Sequence, residues 1–328
     1  MATIIFQLAK RIPMQYLGEI ISLGVACSWT VAALASEIGS RHLGVFVMNV
    51  WRMALALAFS MLLMWFFTGS PLPLHAGLRA WCWLLASGVI GYFFGDWCLF
   101  NSYLTIGSRM GQLFMTLAPA VAAVFAYFML HQTLRPQSIV AIAVTLTGIA
   151  ISVFDKKAIP SSGKNEGRLP LSGKGILFGL GAALGQGWGL VLSKVGLDYY
   201  TAGVPPQQLP MMENVLPFGA NLIRCVAGLL CFTAWLLISG KGKELPKSVR
   251  DRRGMAAMLV AVVSGPFIGV GFSLMAVQHT AAGIASTLMA MTPIIILLPS
   301  RYLFNQPITK KSVAGAVVSC IGVALFFL

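Results

Sequence analysis

"LAPAVAAVFAYFMLHQTLRPQSIVAIAVTLTGIAI" (117–151) and "MTPIIILLPSRYLFNQPITKKSVAGAVVSCIGVAL" (291–325) are two apolar stretches that lie 174 residues apart. Each has a proline at its third position, a short polar turn near its middle and a glycine-bearing apolar run after that turn. At this shift the identical pairs include Pro119 and Pro293, Gln132 and Gln306, Ser138 and Ser312, and Gly148 and Gly322. A fixed offset of this kind indicates an internal repeat.

The repeat extends toward the start of both stretches. The further matches, at shifts of 174, 172 and 157 residues, are Gly91 with Gly265, Gly95 with Gly269, Asn49 and Arg52 with Asn221 and Arg224, and Ser36-Glu37 with Ser193-Lys194. These matches keep the same order in both halves of the chain. We therefore predict an N-terminal segment (1–17), a first repeat (18–155), a basic linker (156–173) and a second repeat (174–328).

The composition indicates that lipid surrounds most of the chain. Of 328 residues, 58% are hydrophobic and 10% are charged, whereas soluble domains carry about 25% charged residues. A bilayer core requires about 20 apolar residues per helix. Ten such runs are predicted as spans: 18–37, 44–68, 80–106, 109–131, 137–154, 174–195, 215–239, 255–279, 282–304 and 311–328. The polar–apolar alternation of a β-barrel is missing, which favours an all-α integral membrane protein.

Five predicted spans in each half constrain the topology. Because five is odd, the second half must enter the membrane from the side opposite to the first. The prediction is therefore ten transmembrane helices arranged as two inverted five-helix repeats. Many secondary transporters have this architecture, with the binding site near the midplane between the repeats and alternating access to it.

With these two proline-containing stretches and ten spans in two halves, the chain resembles the EamA family of the drug/metabolite transporter superfamily. The resemblance covers about residues 18–328. It implies a transporter, with export of amino acids or related compounds as its function. The turn after the fourth helix of each half usually carries a glutamate in this family, whereas Gln132 and Gln306 stand here. A role of that glutamate is therefore not carried over.

Arg52 and Arg224 are charged residues inside predicted spans, where ionisable groups cost about 2.5–3.5 kcal/mol and normally face the protein interior or a wet cavity. Asn49 and Asn221 lie three residues before them and share their helix faces. In one interpretation the arginines line a cavity and bind a carboxylate or phosphate of the substrate. In the other they bind backbone carbonyls and hold the helices in register. The sequence leaves both open.

Asp96 is the acidic residue of the predicted membrane interior, and its repeat counterpart is Val270. An unmatched acid at this depth is a candidate for coupling to protons or substrate, with a static ion pair as the alternative. Glu37 and Lys194, near the ends of spans 1 and 6, are predicted as coupling or gate residues.

Helix 3 contains a dense polar and aromatic run, "GYFFGDWCLFNSY" (91–103). The candidates to line a cavity there and in helix 4 are Tyr92, Trp97, Asn101, Tyr103, Gln112 and Thr116. Packing between helices is the alternative for each of them. Pro119 and Pro293 each remove a backbone hydrogen bond and are predicted to kink their helices at the cavity.

The net charge of +14 comes mainly from loops: segments 156–174 and 241–253 hold eleven of the 23 Lys and Arg. Beside membrane spans this pattern indicates orientation and not nucleic-acid binding. Sixteen loop cations on one side against five on the other predict that both termini lie outside the cytoplasm. The family resemblance implies the reverse.

Several enzyme and metal-site classes lack their motifs. The chain has no phosphate-binding G-x-x-x-x-G-K-[ST] motif. Its four histidines are scattered, and its six cysteines lie singly within apolar runs, as small core residues do. We therefore predict a protein that is not an enzyme and that uses no cofactor or metal.

The leading functional hypothesis is a multi-pass secondary transporter of the cytoplasmic membrane, an exporter of small polar metabolites such as amino acids or other carboxylate-bearing solutes. Its expected partners are the bilayer and a small-molecule substrate, with protons as a candidate coupling ion, in a monomer or homodimer. The alternatives are an exporter of drug-like or cationic compounds and a non-transporting scaffold or lipid-processing membrane protein.

Overall fold

The computed structural model describes residues 16–131, 136–155, 172–212, 215–280 and 282–325. The predicted N-terminal segment and basic linker, together with Gln132, lie almost entirely outside these ranges. Within them the chain is helical and contains no strand. The helices of the first repeat are α1 (Leu17–Leu43), α2 (Val45–Thr68), α3 (Leu78–Met115), α4 (Ala118–Leu130) and α5 (Pro136–Val153).

The second repeat begins with the longest of its helices and ends with several shorter ones. Its helices are α6 (Gly173–Ala202), α7 (Leu209–Met212), α8 (Leu216–Ile238), α9 (Glu244–Ser248), α10 (Arg252–Val262), α11 (Val270–His279), α12 (Ala282–Met289), α13 (Thr292–Phe304) and α14 (Lys310–Ala324). A π-helical segment (Val263–Gly269) joins α10 to α11, and α3 contains a similar segment (Gly88–Gly95).

Six helices in the described part of the chain are long and apolar enough to cross a membrane: α1, α2, α3, α5, α6 and α8. A multi-pass, all-helical membrane protein is therefore confirmed. The count of ten spans and the opposite orientation of the repeats stay predictions. The reason is that α4 and α13 are short and that a π-helical segment interrupts predicted span 255–279.

Helix breaks separate the predicted third and fourth spans. Gly107 has φ 82° and ψ 156°, a conformation that glycine adopts without steric cost, and it interrupts α3. Pro119 and Pro293 then stand in the first turns of α4 and α13, where a missing N–H leaves no backbone partner unsatisfied. The predicted mid-helix kinks are thus short turns between two helical segments, and each turn comes immediately before the first helical turn that holds the proline.

Local backbone geometry repeats between the two halves. The π-helical segments of α3 and of the α10–α11 connection occupy equivalent positions at the 174-residue shift. His131 and Asn305, also 174 residues apart, both have φ 52° and end α4 and α13 in the left-handed conformation. The backbone therefore confirms the two-repeat architecture.

Helices of one repeat pack mainly on helices of the other. Helix α1 packs on α10, α11 and α12, and reciprocally α6 packs on α3 and α4. Helix α2 packs on α8, and α5 packs on α14. In the last pair Gly148 lies against Ser319, and Gly322 lies against Thr145, which is the repeat counterpart of Ser319. The repeat symmetry thus relates the Gly148–Ser319 contact to the Gly322–Thr145 contact.

At one end of the bundle Asp251 caps α10, accepting the Gly254 N–H at 3.0 Å and lying 3.0 Å from His42 Nδ1. The Gly254 N–H, followed by the neighbouring histidine, lowers the pKa of Asp251 below its ordinary value. This contact joins the end of α1 to the beginning of α10.

We expect Gly148→Ala to destabilise the protein. An added Cβ would lie 2.7 Å from the Gly315 carbonyl oxygen, so α5 and α14 would have to separate, at a cost of about 1–3 kcal/mol. Gly24→Ala is the matched control, because a Cβ there meets nothing within 4 Å and favours the helix by up to about 1 kcal/mol. Thermal unfolding of both purified variants in detergent tests this; equal melting temperatures would contradict the packing.

Candidate functional site

A buried ion pair joins α2 to α3. The Arg52 guanidinium donates to Asp96 Oδ2, and its Nε donates to Asn49 Oδ1 at 3.3 Å. The guanidinium also lies 4.9 Å from the centre of the Phe100 ring. Asn49 in turn donates to the Val45 carbonyl at 2.9 Å. These contacts orient Arg52 from several directions, and the Asp96 carboxylate compensates its charge.

Gln186 on α6 provides the second partner of Asp96. Its Nε2 donates to Asp96 Oδ1 at 2.8 Å and lies 3.2 Å from the Gly91 carbonyl oxygen. Both Asp96 oxygens are therefore occupied, and the side chain is 5% exposed. The sequence reasoning missed Gln186; its signal is an amide in the apolar, glycine-rich run "ALGQGWGL" (183–190).

Glycines allow α6 to come this close to α3. A Cβ on Gly189 would lie 2.7 Å from the Gly91 Cα, and one on Gly185 would lie 2.5 Å from the Gly95 Cα. The facing part of α3 is π-helical and ends at Gly95, immediately before Asp96. Such π segments occur frequently at functional sites.

Arg224 on α8 differs from its repeat counterpart. Its guanidinium lies 4.3 Å from the centre of the Tyr92 ring, and its Nε has no hydrogen-bond partner. No carboxylate lies within 4.0 Å of it among the described residues. The position that the repeat aligns with Asp96 is Val270, so this half supplies no acid to pair with Arg224.

Asn221 also departs from the symmetry. Its Oδ1 accepts a hydrogen bond from the Tyr92 hydroxyl, and its Nδ2 donates to Ser60 Oγ on α2 at 3.3 Å. Asn49, its counterpart, binds its own helix backbone and Arg52. The structure thus brings Arg52, Asp96, Arg224, Asn49, Asn221 and Tyr92 into one cluster, together with Gln186 and Ser60.

The remaining candidates make local contacts. Trp97 packs edge-on against Phe178 with ring centres 5.4 Å apart, and Asn101 donates to the Trp97 carbonyl at 2.7 Å. Gln112 donates to the Tyr103 hydroxyl at 2.6 Å. Thr116 donates to the Leu113 carbonyl at 2.7 Å, beside the helix break. Contact of these side chains with a substrate stays a prediction.

The comparisons agree with the two-part architecture. The model of the EamA-like transporter family matches residues 16–154 and again residues 173–328.

The chain belongs to the EamA-like transporter family.

A solved crystal structure of another protein superposes with a TM-score of 0.55 at 15% sequence identity, covering 94% of this chain and 95% of that chain. At this identity the likeness shows the fold alone. No curated protein matches the sequence.

Glu37 of this EamA-like protein is fully buried and joins α1 to the break in α3. Its Oε2 accepts the Ser108 N–H at 2.7 Å, immediately after Gly107, and its Oε1 accepts Arg41 at 2.6 Å. A carboxylate is favourable at this N-terminus of a helical segment, where a backbone N–H has no partner within the helix. Lys194 instead lies on the surface, 57% exposed, with Asp198 Oδ1 at 2.6 Å. The two predicted gate residues thus have different environments.

We expect Glu37→Ala to destabilise the protein by about 1–3 kcal/mol, because it leaves the buried Ser108 N–H without an acceptor. Lys194→Ala is the matched control and should change stability by no more than about 0.5 kcal/mol, since it removes an exposed ion pair. Thermal unfolding in detergent measures both. A Glu37→Ala protein as stable as the control would refute this role of the carboxylate.

Proposed function

We propose that this EamA-like protein is a secondary transporter that exports small polar metabolites bearing a carboxylate group, amino acids among them, across the cytoplasmic membrane. Alternating access between the two repeats would expose the Arg224 cluster to each side in turn. The direction of transport and the amino-acid class rest on the family membership. The carboxylate rests on the charges of the cluster.

The observation that carries the proposal is the incomplete pairing of Arg224. An arginine in the bilayer interior is costly unless a partner compensates its charge. Arg52 has such a partner in Asp96. Arg224 has the Tyr92 ring face, a contact worth up to about 2 kcal/mol, and its Nε makes no hydrogen bond. Its planar fork therefore has an unused donor, and such a fork can bind a carboxylate through two hydrogen bonds.

Asp96 takes a supporting role in this proposal. Both of its oxygens accept hydrogen bonds, from Arg52 and from Gln186. A carboxylate held in this way fixes the position of the neighbouring arginine. We therefore assign Asp96 to the static ion pair and not to proton transfer.

The same contacts argue against the other hypotheses. A transporter of cationic compounds needs a carboxylate with a free face, whereas both oxygens of Asp96 are occupied. A non-transporting scaffold needs embedded charges that are sealed by partners, whereas the Arg224 Nε lacks one within the described residues. A solute carboxylate would supply both a hydrogen-bond acceptor for Arg224 and a negative charge to compensate it.

We expect Arg224→Gln to weaken binding of the ligand by about 30-fold or more, since loss of a charge partner in such a contact costs 2 kcal/mol or more. A thermal-shift screen of carboxylate metabolites with purified protein identifies the ligand, and isothermal titration then compares the variant with the wild type. Arg224→Lys should recover part of the affinity, because lysine keeps the charge but loses the planar fork.

Arg79→Gln is the matched control, because Arg79 is an exposed arginine at the beginning of α3 whose guanidinium lies 6.0 Å from the Tyr199 ring centre. It should bind the ligand as the wild type does, and flux in proteoliposomes should follow the same order. A ligand that binds Arg224→Gln and wild type equally, or a screen that finds only hydrophobic cations, would refute the proposal.

A further inference from the structure

The charged groups of the central cluster do not balance. Two arginines, Arg52 and Arg224, and one carboxylate, Asp96, come together from α2, α8 and α3. The ion pair neutralises Arg52 and leaves one positive charge, that of Arg224. This imbalance arises from the repeat, which duplicates the arginine but places Val270 at the position equivalent to Asp96.

The uncompensated charge has a defined environment. A Cβ on Gly91 would lie 3.1 Å from an Arg224 terminal nitrogen, and Gln186 Nε2 lies 3.2 Å from the carbonyl oxygen of the same glycine. Gln186 also donates to Asp96. Arg224 and Gln186, which binds Asp96, therefore both approach α3 at the small residue Gly91.

We infer that the site selects substrates with a single negative charge and that Asp96 is the residue that sets this limit. The inference rests on the proposed function, because it specifies the class of anion that Arg224 binds. One carboxylate on the substrate brings the cluster to neutrality. A second carboxylate finds no free cation in the described cluster and meets the negative charge of Asp96.

A dianion has one other way to bind, which is to take Arg52 from Asp96. That exchange removes the hydrogen bond from Arg52 and leaves a 5% exposed carboxylate with Gln186 as its remaining donor. Breaking a buried pair while leaving one charge behind is strongly unfavourable. Like charges brought together at a binding interface are also strongly repelled. Both routes therefore discriminate against dianions.

Matched probes test the inference. Succinate, glutarate and phthalate each carry two carboxylates, and their monoamides keep the shape with one carboxylate. We expect the wild-type protein to bind each monoamide at least about tenfold more tightly than the parent dianion, as measured by isothermal titration at pH 7.5. Asp96→Asn keeps the side-chain shape and releases the Arg52 charge, so the preference should shift toward the dianion by about tenfold or more.

Two further variants make the result specific. Asp96→Val reproduces the residue at the repeat-equivalent position and should shift the preference in the same direction. Asp198→Asn removes a negative charge from an exposed pair and should leave the ratio unchanged. If the Asp96 variants do not fold, the wild-type ratios still test the single-charge limit, and a dianion bound as tightly as its monoamide overturns it.

The outcomes separate the two proposals. A wild-type protein that binds dianions as tightly as their monoamides would overturn the single-charge inference and leave the proposed function standing, as would folded Asp96 variants with an unchanged ratio. Binding of neither member of any pair would also overturn this inference. The proposed function fails separately, if the metabolite screen finds no carboxylate ligand that depends on Arg224.

Discussion

The close approach of α3 and α6 is the contact on which the central cluster depends. Gly189 and Gly185 of the second repeat face Gly91 and Gly95 of the first, at distances that leave no room for a Cβ. Only because the backbones meet does Gln186 reach Asp96. In a membrane the association of helices relies on such packing and on hydrogen bonds between helices. The same glycines therefore serve the packing of the fold and the geometry of the site.

Repetition of the backbone and asymmetry of the side chains have separate consequences. The π-helical segments, the left-handed residues at 131 and 305 and the exchanged glycine contacts of α5 and α14 all follow the repeat. The charges do not follow it: both arginines lie over an aromatic ring, but Arg52 also has a carboxylate partner, and Arg224 has none within 4.0 Å among the described residues. A duplicated scaffold supplies two equivalent positions, and a small solute has one charge pattern. In the proposed function, one arginine organises the protein while the other binds the ligand.

The sequence was sufficient for the repeat, the membrane class, the all-helical fold and the residues of the charged cluster. An offset of 174 residues is visible without a structure, and an Asp or Arg in an apolar run is conspicuous. Gln186 was missed because an amide in a glycine-rich run has no distinctive pattern until the opposite helix is placed. The buried position of Glu37 was missed for a related reason: its partner is a backbone N–H that the break at Gly107 leaves without a partner in its own helix. Such breaks also made span boundaries the least predictable feature.

Glu37 and Lys194 show how a single difference between the repeats changes the contacts made at equivalent positions. A glutamate can accept the N–H groups at the start of a helical turn, where the helix dipole favours negative charge, whereas a lysine has no acceptor and carries the disfavoured sign. Glu37 accordingly turns inward to Ser108, and Lys194 turns outward to Asp198. The contact that joins α1 to α3 at Glu37 therefore has no equivalent made by Lys194. Two repeat-equivalent positions thus make different contacts, a buried one between helices at Glu37 and an exposed one within a single helix at Lys194.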